Sequence, residues 1–299
     1  MSGKTVGLTG ATGFVGGHVV KELLSRGYAV RCIARSPEAA GWLRARGVAV
    51  FKGDITEQSS IDPAFFEKLP YLIHLVGIIK ERGTQTFQSV HFKGTKTVVD
   101  MAKQSGGIKK YVHMSALGTR PDAGSMYHRT KWEAEEYVRA SGLKYTVFRP
   151  SIIYGPGGEF IDTFIKIIKL SPVLPAISSG TLYPIHVRDV AWCFAEALER
   201  KKTDGKTVPL GGPGSFSLKE MMGILLKVLG KERIVLPIPS YLLYPQAALL
   251  ERVLKNPPLT TDQLKMLAEE APFDSEEVTA ILHDFSPVSF EEGLKEYLS

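Results

Sequence analysis

The sequence is poor in cysteine, in metal-ligand clusters and in long apolar runs, and each shortage removes a class of function. Only two cysteines occur in 299 residues, Cys32 and Cys193, each inside an apolar stretch and neither in a CxxC pattern. They read as buried reduced thiols, which excludes a disulfide scaffold and points to a reducing, cytoplasmic compartment. No uncharged apolar run reaches the ~18 residues of a membrane span. No signal peptide is expected, because residues 4–9 already read as a strand and Gly10 begins a turn. The chain reads as soluble, or at most peripheral to a membrane. None of the seven histidines falls in an HxxxH or HxH spacing, so no metal site is expected. A GxSxG nucleophile elbow is missing too. Charge of one sign is scarce: 37 Lys and Arg stand against 31 Asp and Glu, a net +6 spread along the chain. That surplus is too weak to argue for a nucleic-acid partner. It suits an anionic ligand or an anionic membrane surface equally.

What is present is a rhythm. Short β-branched or apolar runs at 5–9, 28–33, 48–51, 71–76, 110–115 and 145–149 read as strands. Helical spacing fills the gaps, as in Val15, Val19 and Leu23, or Val90, Val98 and Met101 within 86–104. This alternation specifies an α/β fold, a Rossmann-type doubly wound parallel sheet of six or more strands. After Pro150 the rhythm changes. The turn cluster Tyr154-Gly155-Pro156-Gly157-Gly158 marks a boundary, and Pro172, Pro175 and Pro184 break the next stretch into short pieces. A helix over 187–200 and a strand over 207–210 look like a return to the sheet. Beyond Gly214 the chain reads as mostly helical, with a capping box at Ser217 and Glu220. The expected layout is a dinucleotide-binding domain over 1–153, rejoined by 185–212. A smaller, mostly helical lobe is expected from 154–184 and 213–299.

The strongest single signal is Thr9-Gly10-Ala11-Thr12-Gly13-Phe14-Val15-Gly16, between the first strand and the first helix. Gly10 permits the tight turn, Gly13 lets the backbone approach a pyrophosphate, and Gly16 allows close helix–strand contact. The phosphates would sit on the open amides of the helix N-terminus. The GxxGxxG spacing resembles the extended short-chain dehydrogenase/reductase superfamily, which includes the sugar-nucleotide epimerases and dehydratases. Gly53-Asp54-Ile55, Tyr127-His128-Arg129-Thr130-Lys131, Arg149-Pro150-Ser151-Ile152-Ile153-Tyr154-Gly155-Pro156-Gly157 and Pro184-Ile185-His186-Val187-Arg188-Asp189-Val190-Ala191 extend the resemblance in the same order. His74-Leu75-Val76-Gly77-Ile78-Ile79 and His113-Met114-Ser115-Ala116-Leu117-Gly118 are similar to the atypical branch. That branch holds the NADPH-binding accessory subunit of respiratory complex I and its bacterial relatives. The stretches Leu259-Thr260-Thr261-Asp262-Gln263 and Phe290-Glu291-Glu292-Gly293-Leu294 resemble the same group.

The second strand ends in Arg31-Cys32-Ile33-Ala34-Arg35-Ser36, with no acid before Glu38. An NAD site usually places a carboxylate there, whereas a guanidinium grips a 2′-phosphate bidentately. NADP(H) is therefore the expected cofactor, held by Arg35 with Ser36 beside it, and NAD(H) is the second choice. The resemblance implies that Asp54 receives the adenine amino group. It also sets Thr12, Phe14, Val15, Ile55, Leu75, Val76, Gly77 and Pro150 along the dinucleotide.

For chemistry, the resemblance implies a Tyr that transfers a proton and a Lys four residues later. That Lys holds the nicotinamide ribose and lowers the phenol's pKa. Of the 11 tyrosines only Tyr127 has such a partner, Lys131, and the spacing puts both on one helical face. Ser115 ends the fifth strand, where the resemblance gives a serine bonded to the substrate oxygen. The Asn that usually completes this set is replaced by His91, which could relay a proton in its place but reads first as a packing histidine. In 236–258, Tyr241, Leu242, Leu243, Tyr244, Leu249, Leu250, Val253 and Leu254 make an apolar, Tyr-bearing helix. It packs the small lobe, lines an apolar substrate site, or meets a membrane or partner.

Three readings remain. One is an NADP(H)-binding protein of the complex I-associated kind, peripheral to a membrane or a respiratory complex. Another is a slow oxidoreductase on an unidentified small, apolar or quinone-like substrate. The alternative is a sugar-nucleotide epimerase or dehydratase, against which the lobe shows no Arg/Asn clamp for a second pyrophosphate.

Overall fold

The computed structural model describes residues 4–38, 40–254, 257, 259–269 and 271–298. Lys255, Asn256 and Pro258 of the Pro-rich joint lie outside the described residues. The strands are β1 (Thr5–Thr9), β2 (Ala29–Ala34), β3 (Ala49–Lys52), β4 (Tyr71–His74), β5 (Lys110–Met114), β6 (Tyr145–Pro150), β7 (Ile153–Tyr154), β8 (Val173–Ile177), β9 (Ile185–His186), β10 (Lys206–Leu210) and β11 (Ile234–Ile238). The helices are α1 (Phe14–Ser25), α2 (Gly41–Arg44), α3 (Gly94–Ser105), α4 (Met126–Arg139), α5 (Glu159–Leu170), α6 (Val187–Glu196), α7 (Leu218–Val228), α8 (Ser240–Val253), α9 (Thr261–Ala268), α10 (Ser275–Ile281) and α11 (Phe290–Leu298).

Seven strands form one parallel sheet in the order β10-β6-β5-β4-β1-β2-β3. Both faces are covered, which is why these strands read as continuous apolar runs rather than alternating ones. Successive residues of one strand enter different cores. Ile73, Val112 and Phe148 pack with Val15 and Val19 of α1 and with Phe194 of α6. Leu72, Tyr111 and Val147 pack on the other face with Val98 and Val99 of α3 and Val138 of α4. A third cluster gathers Ile161, Leu174, Met221, Leu225, Leu264 and Leu294 from the later segments. The sheet therefore meets the expected doubly wound architecture.

The differences from expectation have local causes. The fourth strand stops at His74, two residues early, because the chain leaves the sheet where β4 parts from β1. The helix over 86–104 opens as a π-turn, Gln88–Lys93, and becomes α-helical only at Gly94. The helix over 187–200 ends at Glu196 and is followed by a 3-10 turn at Lys201–Thr203. The mostly helical lobe also contains a parallel two-stranded ribbon of β8 and β11. Pro175 and Pro237 hid it, since proline is admitted only at strand edges. Finally, Val278 and Leu282 join the first core, so the segment around α10 leans on the sheet rather than on the lobe.

Candidate functional site

β1 sits between β4 and β2, so the chain crosses to opposite sides of β1 and the carboxyl ends of β1 and β4 part. Ligands of open α/β sheets bind in the crevice this leaves. Gly10 turns the chain there with φ +82°, a conformation that side chains resist. A Cβ at Gly10 would also lie 3.2 Å from the Val76 amide nitrogen across the crevice. Gly16 serves close packing instead, since a Cβ there would come within 2.0 Å of the Gly10 carbonyl oxygen. Glycine lets α1 start directly against the end of β1.

The first turn of α1 is open. No side chain caps it and no acidic residue lies in it. By contrast, α4, α6, α7, α9 and α10 each carry a side-chain cap. Thr12 and Gly13 are exposed, Phe14 half-buried, and Val15 and Gly16 buried beneath them. An uncapped helix N-terminus with positive dipole, reached over glycine backbone, fits a pyrophosphate. The residues present thus fit a dinucleotide.

At the adenosine end, Arg35 and Ser36 are exposed just beyond β2. The Arg35 guanidinium makes no hydrogen bond or ion pair among the described residues. The Ser36 hydroxyl donates to Glu38 at 3.0 Å. A bond from its own backbone amide, and then this one from Ser36, holds the Glu38 carboxyl below its usual range, and Arg44 and Lys52 add to the effect. Lys52 was invisible to motif reading. It pairs in register with Ala34, so only strand pairing brings its charge beside the end of β2. Asp54 Oδ1 accepts from the Thr56 amide at 2.9 Å and the Thr56 hydroxyl at 2.8 Å, a turn-forming use of one oxygen. Ile55 is buried and Gly94 gives it room.

At the other end, the Leu75 amide still donates to Thr9 O at 3.2 Å before Val76 and Gly77 turn outward. A Cβ on Gly77 would lie 3.0 Å from Lys131 Nζ. Lys131, 2% exposed, donates from Nζ to Met114 O at 3.0 Å. Burial pushes its pKa down to about 8, with Glu135 opposing the shift. Tyr127 stands in an aromatic enclosure, edge-on to His91, His128 and Phe87 at ring separations of 5.1, 5.2 and 5.8 Å. Its hydroxyl has no hydrogen-bond partner among the described residues. Burial pushes its pKa up to about 12, which corrects the expectation of a phenol lowered by its lysine. The ammonium is committed to a strand carbonyl rather than to the phenol.

Ser115 is buried, and its hydroxyl donates to Thr119 Oγ1 at 3.3 Å, with His128 Nδ1 3.4 Å beyond. Pro150 ends β6, and its carbonyl accepts from the Leu117 amide at 2.9 Å. Lys131 and Ser115 meet at the end of β5, while Tyr127 lies one turn before Lys131. His91 is a packing histidine. Its Nδ1 lies 3.0 Å from Thr130 Oγ1, and its Nε2 3.1 Å from the Ile78 amide nitrogen. The extra width of the π-turn allows this reach.

Sequence reading missed what holds the start of α4. Asp262 of α9 accepts from the Met126 amide at 2.7 Å and the Tyr127 amide at 3.2 Å. Glu269 accepts from the Ser125 amide at 3.0 Å. The small lobe thus grips the helix that bears Tyr127 and Lys131. The motif containing Asp262 was visible, but its contact across 135 residues was not.

A cavity of about 530 Å³ opens beside the Gly118–Thr119 turn and runs along Trp132, Arg139 and Arg149. Arg149 binds the fully buried Glu135 through Nε at 2.8 Å and Nη2 at 2.7 Å, and Arg139 binds the same carboxylate. Both guanidinium groups lie over the Trp132 ring.

Residues 6–211 match the NAD dependent epimerase/dehydratase family. A protein named ceramide reductase from Caulobacter vibrioides is 32% identical over 187 residues, 62% of this chain and 58% of that protein. The mitochondrial NADH dehydrogenase [ubiquinone] 1 alpha subcomplex subunit 9 of Arabidopsis thaliana is 30% identical over 249 residues, 80% of this chain and 62% of that one. The chain thus spans about three-fifths of the length of these two relatives. A solved Escherichia coli NADPH-dependent quinone oxidoreductase, complexed with NADPH, shares the fold at a TM-score of 0.76 and 20% identity, with 98% of this chain and all of the other covered. With the match running from β1 through β10, the open helix start at the switch point lies inside it, and the chain belongs to the NAD dependent epimerase/dehydratase family.

Proposed function

We propose that the chain binds NADP(H) in the crevice between β1 and β4 and passes reducing equivalents slowly to a small apolar, quinone-like acceptor. The observation that carries this reading is the uncapped start of α1, facing the switch point between the Arg35 end and the Tyr127–Lys131 end. Gly10, Thr12, Gly13, Phe14, Val15 and Gly16 would hold the pyrophosphate. Arg35 and Ser36, with Lys52 and Arg44 nearby, would hold the 2′-phosphate. Asp54 and Ile55 would meet the adenine, and Leu75, Val76, Gly77 and Pro150 the nicotinamide half. The nicotinamide supplies or accepts a hydride when bound.

The protein's own part is positional and protic. A Tyr127 phenol near pKa 12 stays protonated at neutral pH, ready to give its proton to a reduced oxygen. Lys131 keeps a positive charge beside Gly77, where a ribose hydroxyl would lie. Ser115 orients the acceptor oxygen after turning from Thr119. The names of the ceramide reductase and of the quinone oxidoreductase support an apolar acceptor. The complex I subunits among the relatives support a peripheral association with a membrane or a respiratory complex. Cys32 and Cys193, both free and buried, support a reducing, cytoplasmic compartment. The sugar-nucleotide reading is disfavoured by one observation: Arg139 and Arg149, which line the cavity beside Gly118, are spent on Glu135.

The test is to denature the purified protein, identify any released nucleotide, and then follow NADPH oxidation by a short-chain ubiquinone analogue. Release of NADP(H), or saturable NADPH-dependent quinone reduction, is expected. Interconversion of a UDP-sugar without quinone reduction would favour the alternative.

A further inference from the structure

The small lobe turns an apolar surface outward. In the β8–β11 ribbon, Val173 pairs with Ile234 and Pro175 with Leu236, and all four are exposed. Their neighbours Leu174 and Ala176 are buried on the other side, so the ribbon is apolar on both faces. Pro239 alone separates it from α8, which repeats the pattern. Ala247 is buried, and Leu243 and Tyr244 pack on the lobe core. The opposite face carries Tyr241, Leu242, Pro245, Leu249 and Val253, with Tyr241 68%, Leu249 62% and Val253 71% exposed. A contiguous exposed apolar face of this kind marks a surface that is covered in use.

The border of this surface is cationic. Arg233 donates from Nε to Ile168 O at 3.0 Å, which fastens the start of β11 to the last turn of α5. That contact, with the Val173–Ile234 pairing, brings the segment bearing Lys231 and Arg233 beside the one bearing Lys169 and the exposed Leu170. Over 166–175 and 231–254 the charges are Lys166, Lys169, Lys231, Arg233 and Arg252 against Glu232 and Glu251. Glu251 is already engaged by the Thr261 amide at 2.8 Å. A two-fold contact with a second copy would set these cations against their own images. An anionic bilayer matches both features, taking the apolar side chains into its interface and the lysines and arginines at its headgroups.

We propose that the outward face of the β8–β11 ribbon and α8 is a docking surface for an anionic lipid membrane. This gives the peripheral association proposed above a definite place in the fold, and it is independent of the nucleotide site.

The test uses the full chain and vesicles of phosphatidylglycerol and phosphatidylcholine in equal parts, against phosphatidylcholine alone. NADPH titration and analytical ultracentrifugation are run on the same samples. The protein should co-sediment with the anionic vesicles at least tenfold more tightly than with the neutral ones. Leu236→Glu with Leu249→Glu should lose that binding by tenfold or more while keeping the NADPH affinity of the parent. Failure to bind anionic vesicles, or retained binding in the double variant, overturns the proposal. A concentration-dependent dimer that the double variant abolishes overturns it too, in favour of a second copy. Vesicle binding without nucleotide binding leaves the surface standing and removes the nucleotide reading instead.

Discussion

Arg35 has no internal partner among the described residues, while Ser36 is tied to Glu38. A phosphate at this position would therefore gain a charge-assisted bond from an uncommitted guanidinium and meet one carboxylate. Arg35→Ala should weaken NADPH binding by about 1.5–3 kcal/mol, the usual worth of a hydrogen bond to a charged group. NADH binding should change little, and parallel titrations of the two nucleotides check this. Equal losses would place the 2′-phosphate elsewhere. Tyr127→Phe should abolish quinone reduction and leave NADPH affinity within a few-fold, since the phenol gives a whole proton to the reaction but one hydrogen bond to the nucleotide. Full activity in that variant would reduce Tyr127 to a ribose contact.

Lys131 gives a pH signature of its own. Its folded pKa of about 8 lies below the ordinary 10.5. Between those values the unfolded chain holds the proton and the folded chain does not, so this group makes stability rise with pH from about 8 to 10.5. NADPH affinity should fall over the same interval as the ammonium is lost. Lys131→Met should flatten both trends, and melts and titrations from about pH 7 to 10.5 read them. At this scale the sequence disclosed the residue types but not their state. The commitment of Lys131 to Met114 O and the position of Lys52 beside Ala34 arise from strand ends and register, which no spacing rule contains.

Among the elements, α4 depends most on distant chain. Its first amides are satisfied by Ser125, Asp262 and Glu269, two of them acids placed favourably at the helix dipole. Asp262→Ala should cost about 1 kcal/mol, the usual worth of a capping carboxylate. That corresponds to a fall of about 2–4 °C in Tm for a domain of this size. NADPH affinity should decline with it, because α4 carries Tyr127 and Lys131. An unchanged melt with unchanged affinity would show that the lobe does not brace the site.

The strands up to residue 150 were legible to within two residues, because strands buried on both faces write themselves as continuous apolar runs. The π-turn before α3 was not. Its cause is His91 reaching Ile78 and Thr130, a tertiary demand on a segment whose apolar spacing is ordinarily helical. The β8–β11 ribbon escaped for a related reason. Its outward residues are apolar, so no alternation betrays it, and Pro175 and Pro237 argue against a strand.

On the scale of the molecule, the glycine loop and the strand order support the proposed dinucleotide crevice between β1 and β4, within the segment that matches the family. Gly16 is where α1 and the glycine turn that shapes this crevice approach one another most closely, a Cβ there being 2.0 Å from Gly10 O. The decisive measurement is therefore calorimetric titration of the full chain with NADPH and NADH, beside Gly16→Ala. One saturable site is expected, with NADPH bound at least tenfold more tightly than NADH, and Gly16→Ala should abolish binding of both. Absence of saturable binding by either nucleotide, or a Gly16→Ala protein that binds as the parent does, would contradict the account.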